Sequence, residues 1–202
     1  MSIYETAPAG ELLAAKWNYG GSLVFGQDCR VILGIDPGPE TSGAVLYNAT
    51  NGTVIDSMGA VPLDELRTLI QREHWHLAQS FEVVMERVSA GPASTEVVLT
   101  SEVIGRVQEI CETGGVSLHM YTRRAVLSLL CCTGAGNKDS QVRAAVLELH
   151  GGTKAAAVGT KKAQGPLFGV STHSWQALGA VCAHLQAQKN AQHDTLKLQP
   201  LS

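Results

Sequence analysis

Between positions 31 and 58 the hydrophobic residues come in three short runs separated by turn residues, a strand rhythm rather than a helical one. Val31 to Ile35 is an almost continuous apolar run closed by Asp36-Pro37-Gly38, the pattern of a buried central strand, and it leaves Asp36 at the strand's end. Ser42 to Tyr47 is a second run. After the turn Asn48 to Gly52, Thr53 to Met58 alternates as a third, so the three predict an antiparallel meander. Pro62 then opens a helix whose apolar residues Leu63, Leu66, Leu69 and Ile70 recur three and four apart.

Phe81 to Val88 predicts a fourth strand carrying Glu86, a carboxylate that needs a partner or a metal to offset its desolvation. Past Gly91-Pro92-Ala93-Ser94, a long helix is expected from about Glu96 to Thr113, stopped by Gly114-Gly115, and Val116 to Tyr121 reads as a fifth strand. Thr122 caps a helix to about Cys132, and the loop Gly134 to Asn137 leads into an amphipathic helix from Asp139 to Leu149, ended by Gly151-Gly152. Thr153 to Gly169, rich in Lys, Gly and Ala without a period, predicts a mobile loop before a last helix from Ser171 to about Ala187. The first 30 residues show no sustained period and predict an irregular arm with a short helix around Glu11 to Trp17. The order predicts one α/β domain over residues 31–188, a mixed five-stranded sheet flanked by helices, between an arm of residues 1–30 and a tail of residues 189–202.

Composition narrows the class. With 202 residues, 45% of them hydrophobic and 16% charged, the chain has enough apolar material for one core, which excludes general disorder and a charged coiled coil. No apolar run approaches the roughly 18 residues that span a bilayer, and the N-terminus lacks a basic region followed by an apolar one, so the expectation is a soluble, non-secreted protein without a membrane partner. The five cysteines, without C-x-x-C spacing, fit a reducing compartment. The adjacent Cys131 and Cys132 read either as a redox switch or as small apolar packing, and neighbouring cysteines rarely meet disulfide geometry.

The net charge of −3 argues against a polyanionic partner, but the average hides an asymmetry. Residues 1–115 hold 15 acidic and 6 basic residues, whereas residues 116–170 hold 2 acidic residues and 7 basic ones. Those seven are Arg123, Arg124, Lys138, Arg143, Lys154, Lys161 and Lys162, and they form either a solvated face or a local surface for a polyanion.

Asp36 and Glu86 are the candidate chemistry, because both fall on predicted central strands that adjacent parallel pairing would bring together. A hard cation such as Mg²⁺ takes one or two carboxylates and keeps its other places for water and phosphate oxygens. The competing readings are a turn-forming Asp before Pro-Gly and an ion pair of Glu86 with Arg87 or another surface partner. His173, at the start of the last helix, is either a ligand or a cap. Histidines 74, 76, 119, 150, 184 and 193 have no comparable sequence context.

Four motifs in order carry a resemblance. Gly34-Ile35-Asp36-Pro37-Gly38 followed by Thr41-Ser42-Gly43, then Val83-Val84-Met85-Glu86, then Gly136-Asn137-Lys138-Asp139-Ser140-Gln141-Val142, then His173-Ser174-Trp175-Gln176-Ala177-Leu178, resemble the RuvC family of Holliday junction resolvases, within the RNase H-like (retroviral integrase) superfamily. The resemblance covers about Val31 to Leu185 and is nearest to compact phage-encoded members. It implies an RNase H-like fold and a crossover junction endonuclease, which cuts branched DNA, the four-way junction, by two-metal hydrolysis with Mg²⁺, Mn²⁺ being able to substitute.

By the same resemblance Asp36, Glu86 and His173 are metal ligands, His173 alternatively handling a proton, and Lys138 stabilises charge on the phosphate. Arg123, Arg124, Lys138, Arg143, Lys161 and Lys162 hold the DNA backbones. The resemblance further implies the cytoplasm of a bacterial or phage-infected cell and a homodimer through the long helix, with Val97, Val98, Ile104, Val107 and Ile110 as interface candidates or ordinary core. Gln176 departs from the family pattern, standing where the last helix usually supplies an Asp. Asp139 reads better as a helix-start carboxylate than as a ligand.

Three other readings compete. An RNase H-like protein that binds branched DNA and cuts little or not at all accommodates Gln176. A nuclease for RNA or a DNA flap shares the chemistry. An actin-like or sugar-kinase ATPase also begins with G-I-D-x-G, but it needs two such domains and phosphate-binding glycine loops, and there is no G-x-x-x-x-G-K-[ST] here and no other cofactor-binding motif.

Overall fold

The computed structural model describes residues 29–71, 78–88, 94–132 and 138–197. The helix expected around Glu11 to Trp17, His74 and His76, the Gly91-Pro92-Ala93 stretch and the Gly134 to Asn137 loop lie outside them. The strands are β1 (Arg30–Asp36), β2 (Ser42–Asn48), β3 (Thr53–Val61), β4 (Ser80–Arg87) and β5 (Ser117–Thr122). The helices are α1 (Leu63–Ile70), α2 (Thr95–Gly114), α3 (Arg123–Leu129), α4 (Lys138–Leu149), α5 (Lys154–Ala157) and α6 (Trp175–Lys197).

One mixed sheet of order β3-β2-β1-β4-β5 forms the middle layer. β1, β2 and β3 pair antiparallel, as the three runs predicted, while β1, β4 and β5 run parallel. Alternation along β1 divides the core. Val31, Leu33 and Ile35 join Val83 and Met85 of β4 beneath α1 and α2, through Leu66, Leu69, Val107 and Ile110. Ile32 and Val84 point the other way and pack under α3, α4 and α6, against Val126, Val146, Leu178 and Val181. Period two therefore sends Asp36 and Glu86 to the α6 face together.

Gly34 sits on that face between Ile32 and Asp36. A Cβ there would lie 2.6 Å from Val181 Cγ2 and 2.7 Å from the Ala177 carbonyl oxygen, so α6 rests directly on the bare backbone of β1. This close seating brings the start of α6 over the end of β1 where Asp36 emerges. The helix runs to Lys197, ten residues beyond the expected end near Ala187.

The expected mobile loop is a correction. Residues 153–169 form the short α5, a bridge between Gly159 and Gln164, and a return that buries Ala157 and Leu167 completely. The Pro166 carbonyl accepts from Val54 N at 2.7 Å, which ties the segment to β3. Sequence periodicity misses it because its order comes from two isolated apolar side chains and backbone bonds, neither of which has a repeat. Among the described residues, all five cysteines are free, Cys131 exposed and Cys132 half-buried, and no helix is long and apolar enough to cross a membrane.

Candidate active site

The register Ile35↔Met85 sets Asp36 beside Glu86 at the carboxyl ends of two parallel strands. Asp36 opens onto a cleft of about 230 Å³, together with the Pro37-Gly38 turn, Thr41, Gly43 and His173. His173 is on a 3₁₀ turn, Thr172–Ser174, and not inside the last helix. That turn is fastened to β3: Ser174 Oγ donates to the Met58 carbonyl at 2.7 Å, and Ser171 N donates to Ser57 Oγ at 2.8 Å. It also approaches β2 closely, since a Cβ on Gly43 would fall 2.3 Å from the His173 carbonyl oxygen. The G in T-S-G is thus required for His173 to reach the cleft beside Asp36.

Glu86 has a cationic partner, Arg123, the first residue of α3. Its Nη1 donates to Glu86 Oε2 at 3.0 Å and to Gln176 Oε1 at 2.6 Å, while Nη2 pairs with Asp139 Oδ1. Arg123 therefore stands among three acceptors, and its guanidinium faces inward to carboxylates rather than outward to phosphates. Gln176, in the place where an Asp was expected, is one of those acceptors, and its neutral amide lets one guanidinium satisfy the cluster. Arg87, the partner considered from the sequence, is exposed, and Asp139 lies in the first turn of α4.

Asp36 has no hydrogen-bond donor among the described residues. Its carboxyl is pushed up to about 7, first by desolvation and then by the neighbouring charge of Glu86, with Arg123 pulling against both. Glu86 is raised too, again mainly by burial, and Arg123's charge and hydrogen bond oppose the rise. A half-buried carboxylate without a donor, beside a second carboxylate and open to a cleft, is a donor set for a hard cation. Asp36 and Glu86 fit that role. His173 lines the same cleft as Asp36, but Asp36, Glu86 and His173 do not close on one point as a single ligand set.

The remaining basic residues spread around the site. Lys138, Arg124, Lys161 and Lys162 are exposed, whereas Arg143 is half-buried with its guanidinium 4.7 Å from the centre of the Trp175 ring. On α2, Val107 and Ile110 belong to the core, Val97 and Ile104 are half-buried, and Val98 is 48% exposed beside Leu99 at 40%. The α2 interface candidates thus divide between core and surface.

Among the described residues, one set of His, Cys, Asp or Glu side chains converges: Glu82, His119 and His184. Sequence reading passes over it because its members come from β4, β5 and α6 at no motif spacing. The one signal in the sequence is period two on β4, which places Glu82 on the face of Val84 and Glu86.

A meander joined to two parallel strands, with acidic residues at the strand ends under a helix crossing β1, defines an RNase H-like α/β fold. Within that class the chain has the fold of RuvC, as the four motifs led us to expect. Thermus thermophilus RuvC aligns with a TM-score of 0.53 at 17% identity, over 80% of this chain and 96% of that one. T. thermophilus RuvC in complex with a Holliday junction substrate aligns with a TM-score of 0.51 at 15% identity, over 79% and 95%. No family model and no curated protein matches the sequence.

Proposed function

We propose that this chain is a metal-dependent endonuclease that cuts branched DNA, resolving four-way junctions as a homodimer in the cytoplasm. The observation that carries the proposal is the pair Asp36 and Glu86, side by side at the ends of β1 and β4 in a RuvC fold, with Asp36 lacking a donor among the described residues and opening onto the cleft. The similar RuvC structure with a Holliday junction supports the substrate class. Asp36 and Glu86 would hold Mg²⁺, or Mn²⁺ in its place. Such a cation, when bound, makes water a better nucleophile and stabilises charge on phosphoryl oxygens.

The chain's own residues then divide the work. His173 takes a proton from the attacking water as its oxygen bonds to phosphorus; one P–O ester bond breaks, and the leaving alkoxide is protonated from solvent. Lys138 offsets charge on the scissile phosphate. Arg124, Arg143, Lys161 and Lys162 hold the DNA backbones. Arg123 acts as a built-in cation that keeps Glu86, Gln176 and Asp139 in place. Val98 and Leu99 supply exposed apolar surface on α2 for a second copy. The test is a labelled four-way junction offered beside linear duplex, flap and RNA:DNA hybrid, with Mg²⁺, Mn²⁺ or chelator. Symmetric metal-dependent nicks in the junction are expected.

A second reading follows from Arg123. Its ion pair with Glu86 takes one carboxylate oxygen from any metal, which favours a protein that binds branched DNA and cuts it little. Binding in both metals without nicks would select that reading.

Under either reading Lys161 and Lys162 contact phosphates. Replacing both by Ala is expected to reduce the slope of log affinity against log salt by about 0.9 for each phosphate that is no longer neutralised. An unchanged slope would remove them from the interface.

A further inference from the structure

At the amino end of β4, on the face that also carries Glu86, three side chains close on one another. The ligand atoms of Glu82, His119 and His184 all lie within 4.8 Å of each other. Glu82 Oε2 is 3.1 Å from His119 Nε2 and 3.3 Å from His184 Nε2. The two imidazole rings stand 4.3 Å apart between centres, tilted by 34°. Glu82 is 8% exposed and His184 2%, so this is not a chance meeting of surface side chains.

Hydrogen bonding around the cluster decides which atoms present lone pairs. Arg30, which only donates, holds Gln188 by its Oε1 at 2.8 Å. That turns the Gln188 amide nitrogen towards His184 Nε2, 2.8 Å away, so this ring nitrogen is the acceptor. The proton of neutral His184 is then on Nδ1, which meets the Tyr121 hydroxyl at 2.8 Å. His184 Nε2 also lies 3.3 Å from Glu82 Oε2, so a metal ion between them would take the single lone pair that the Gln188 N–H occupies. Arg30 occupies Glu82 through Oε1 by a bond from Nε at 2.8 Å, leaving Oε2 to the imidazoles.

We infer that Glu82, His119 and His184 form a second metal site, for Zn²⁺ or another first-row divalent ion. Two imidazoles and one carboxylate suit Zn²⁺ and are a poor set for Mg²⁺, which prefers oxygen. Tyr121 fixes the ring of His184 from its far nitrogen, the usual arrangement behind a metal-bound histidine. Because His119 is half-exposed, water reaches the fourth position. The ion would tie β4, β5 and α6 together roughly 13 Å along β4 from Glu86, at about 3.3 Å per residue. The site is therefore separate from the Asp36 cleft and does not depend on the nuclease reading.

The test is calorimetric titration of the metal-stripped full chain with Zn²⁺, in parallel with Co²⁺ followed by its visible absorption. One equivalent of Zn²⁺ is expected, with a tetrahedral-type Co²⁺ band and a raised Tm. His119→Ala, at a half-exposed position, should lower the affinity by at least about 100-fold; Tyr121→Phe, which loosens His184, should lower it roughly 10-fold. Excess Mg²⁺ should leave the titration unchanged. A folded chain that binds no Zn²⁺, binding indifferent to His119→Ala, or Zn²⁺ displaced by Mg²⁺ would each overturn the inference.

Discussion

Asp36→Asn is expected to lower the rate of junction cleavage roughly a thousandfold or more while leaving junction affinity within about threefold. Of the site's two carboxylates, Asp36 is the one that Arg123 does not engage, so its removal takes the cation's main anchor. Several kcal/mol of charge stabilisation in the transition state goes with it, at about 1.4 kcal/mol per tenfold in rate. Backbone contacts made by the basic residues remain, which separates catalysis from binding. Gel cleavage under single-turnover conditions beside a binding titration is the measurement, and a variant that still cuts at the parent rate would remove Asp36 from the site.

The same substitution has a signature without metal or DNA. An unfolded Asp loses its proton near pH 4, whereas Asp36 in the folded chain keeps it to about 7. Between those values the folded state binds the extra proton, so the native chain loses stability as pH rises from about 4 to about 7. Asn carries no such charge. In chelator at pH 8 the Asp36→Asn chain should therefore melt a few degrees above the parent, a difference that vanishes near pH 4, and Mg²⁺ at pH 8 should raise the parent's Tm alone. Thermal melts across that pH range decide the point.

Gly34→Ala is expected to produce a large loss of stability for a single methyl group. The new Cβ meets Val181 Cγ2 at 2.6 Å and the Ala177 carbonyl oxygen at 2.7 Å, and the second of these is helix backbone that no rotamer change can move. α6 has to lift from β1. Overpacking of this kind costs about 1–3 kcal/mol, or roughly 2–12 °C in Tm for a chain of this size. Because α6 carries Gln176 and follows directly from the His173 turn, cleavage should fall with stability. Gly105→Ala is the contrasting control: nothing lies within 4 Å of its Cβ, and Ala favours the helix, so Tm should hold or rise. An unchanged Tm in Gly34→Ala would mean that α6 does not rest on β1 as described.

Most of the frame was legible. Each strand and each long helix between Arg30 and Leu149 lies within a few residues of its expected bounds, because period two and period 3.6 are imposed by one-sided burial. The parallel pairing that sets Asp36 against Glu86 was open from the sequence too, since both acidic residues fall on short apolar runs typical of central strands. The segment 153–169 and the Thr172–Ser174 turn were less legible: they are held by carbonyls, serine hydroxyls and single buried side chains, none of which leaves a repeat.

Arg123 shows the limit most clearly. In sequence it is one of seven basic residues in an acid-poor stretch, indistinguishable from Arg124 beside it. In the fold it starts α3 directly after β5, and its side chain reaches Glu86, Gln176 and Asp139 on three other elements. Glu82, His119 and His184 behave the same way, each unremarkable alone. Sequence by itself determined the five strands and the long helices up to Leu149, because these follow from local periodicity. Which cation answers which carboxylate was decided only by the tertiary structure, since electrostatic pairing depends on distance through space, and here the partners are 16 to 52 residues apart in the chain.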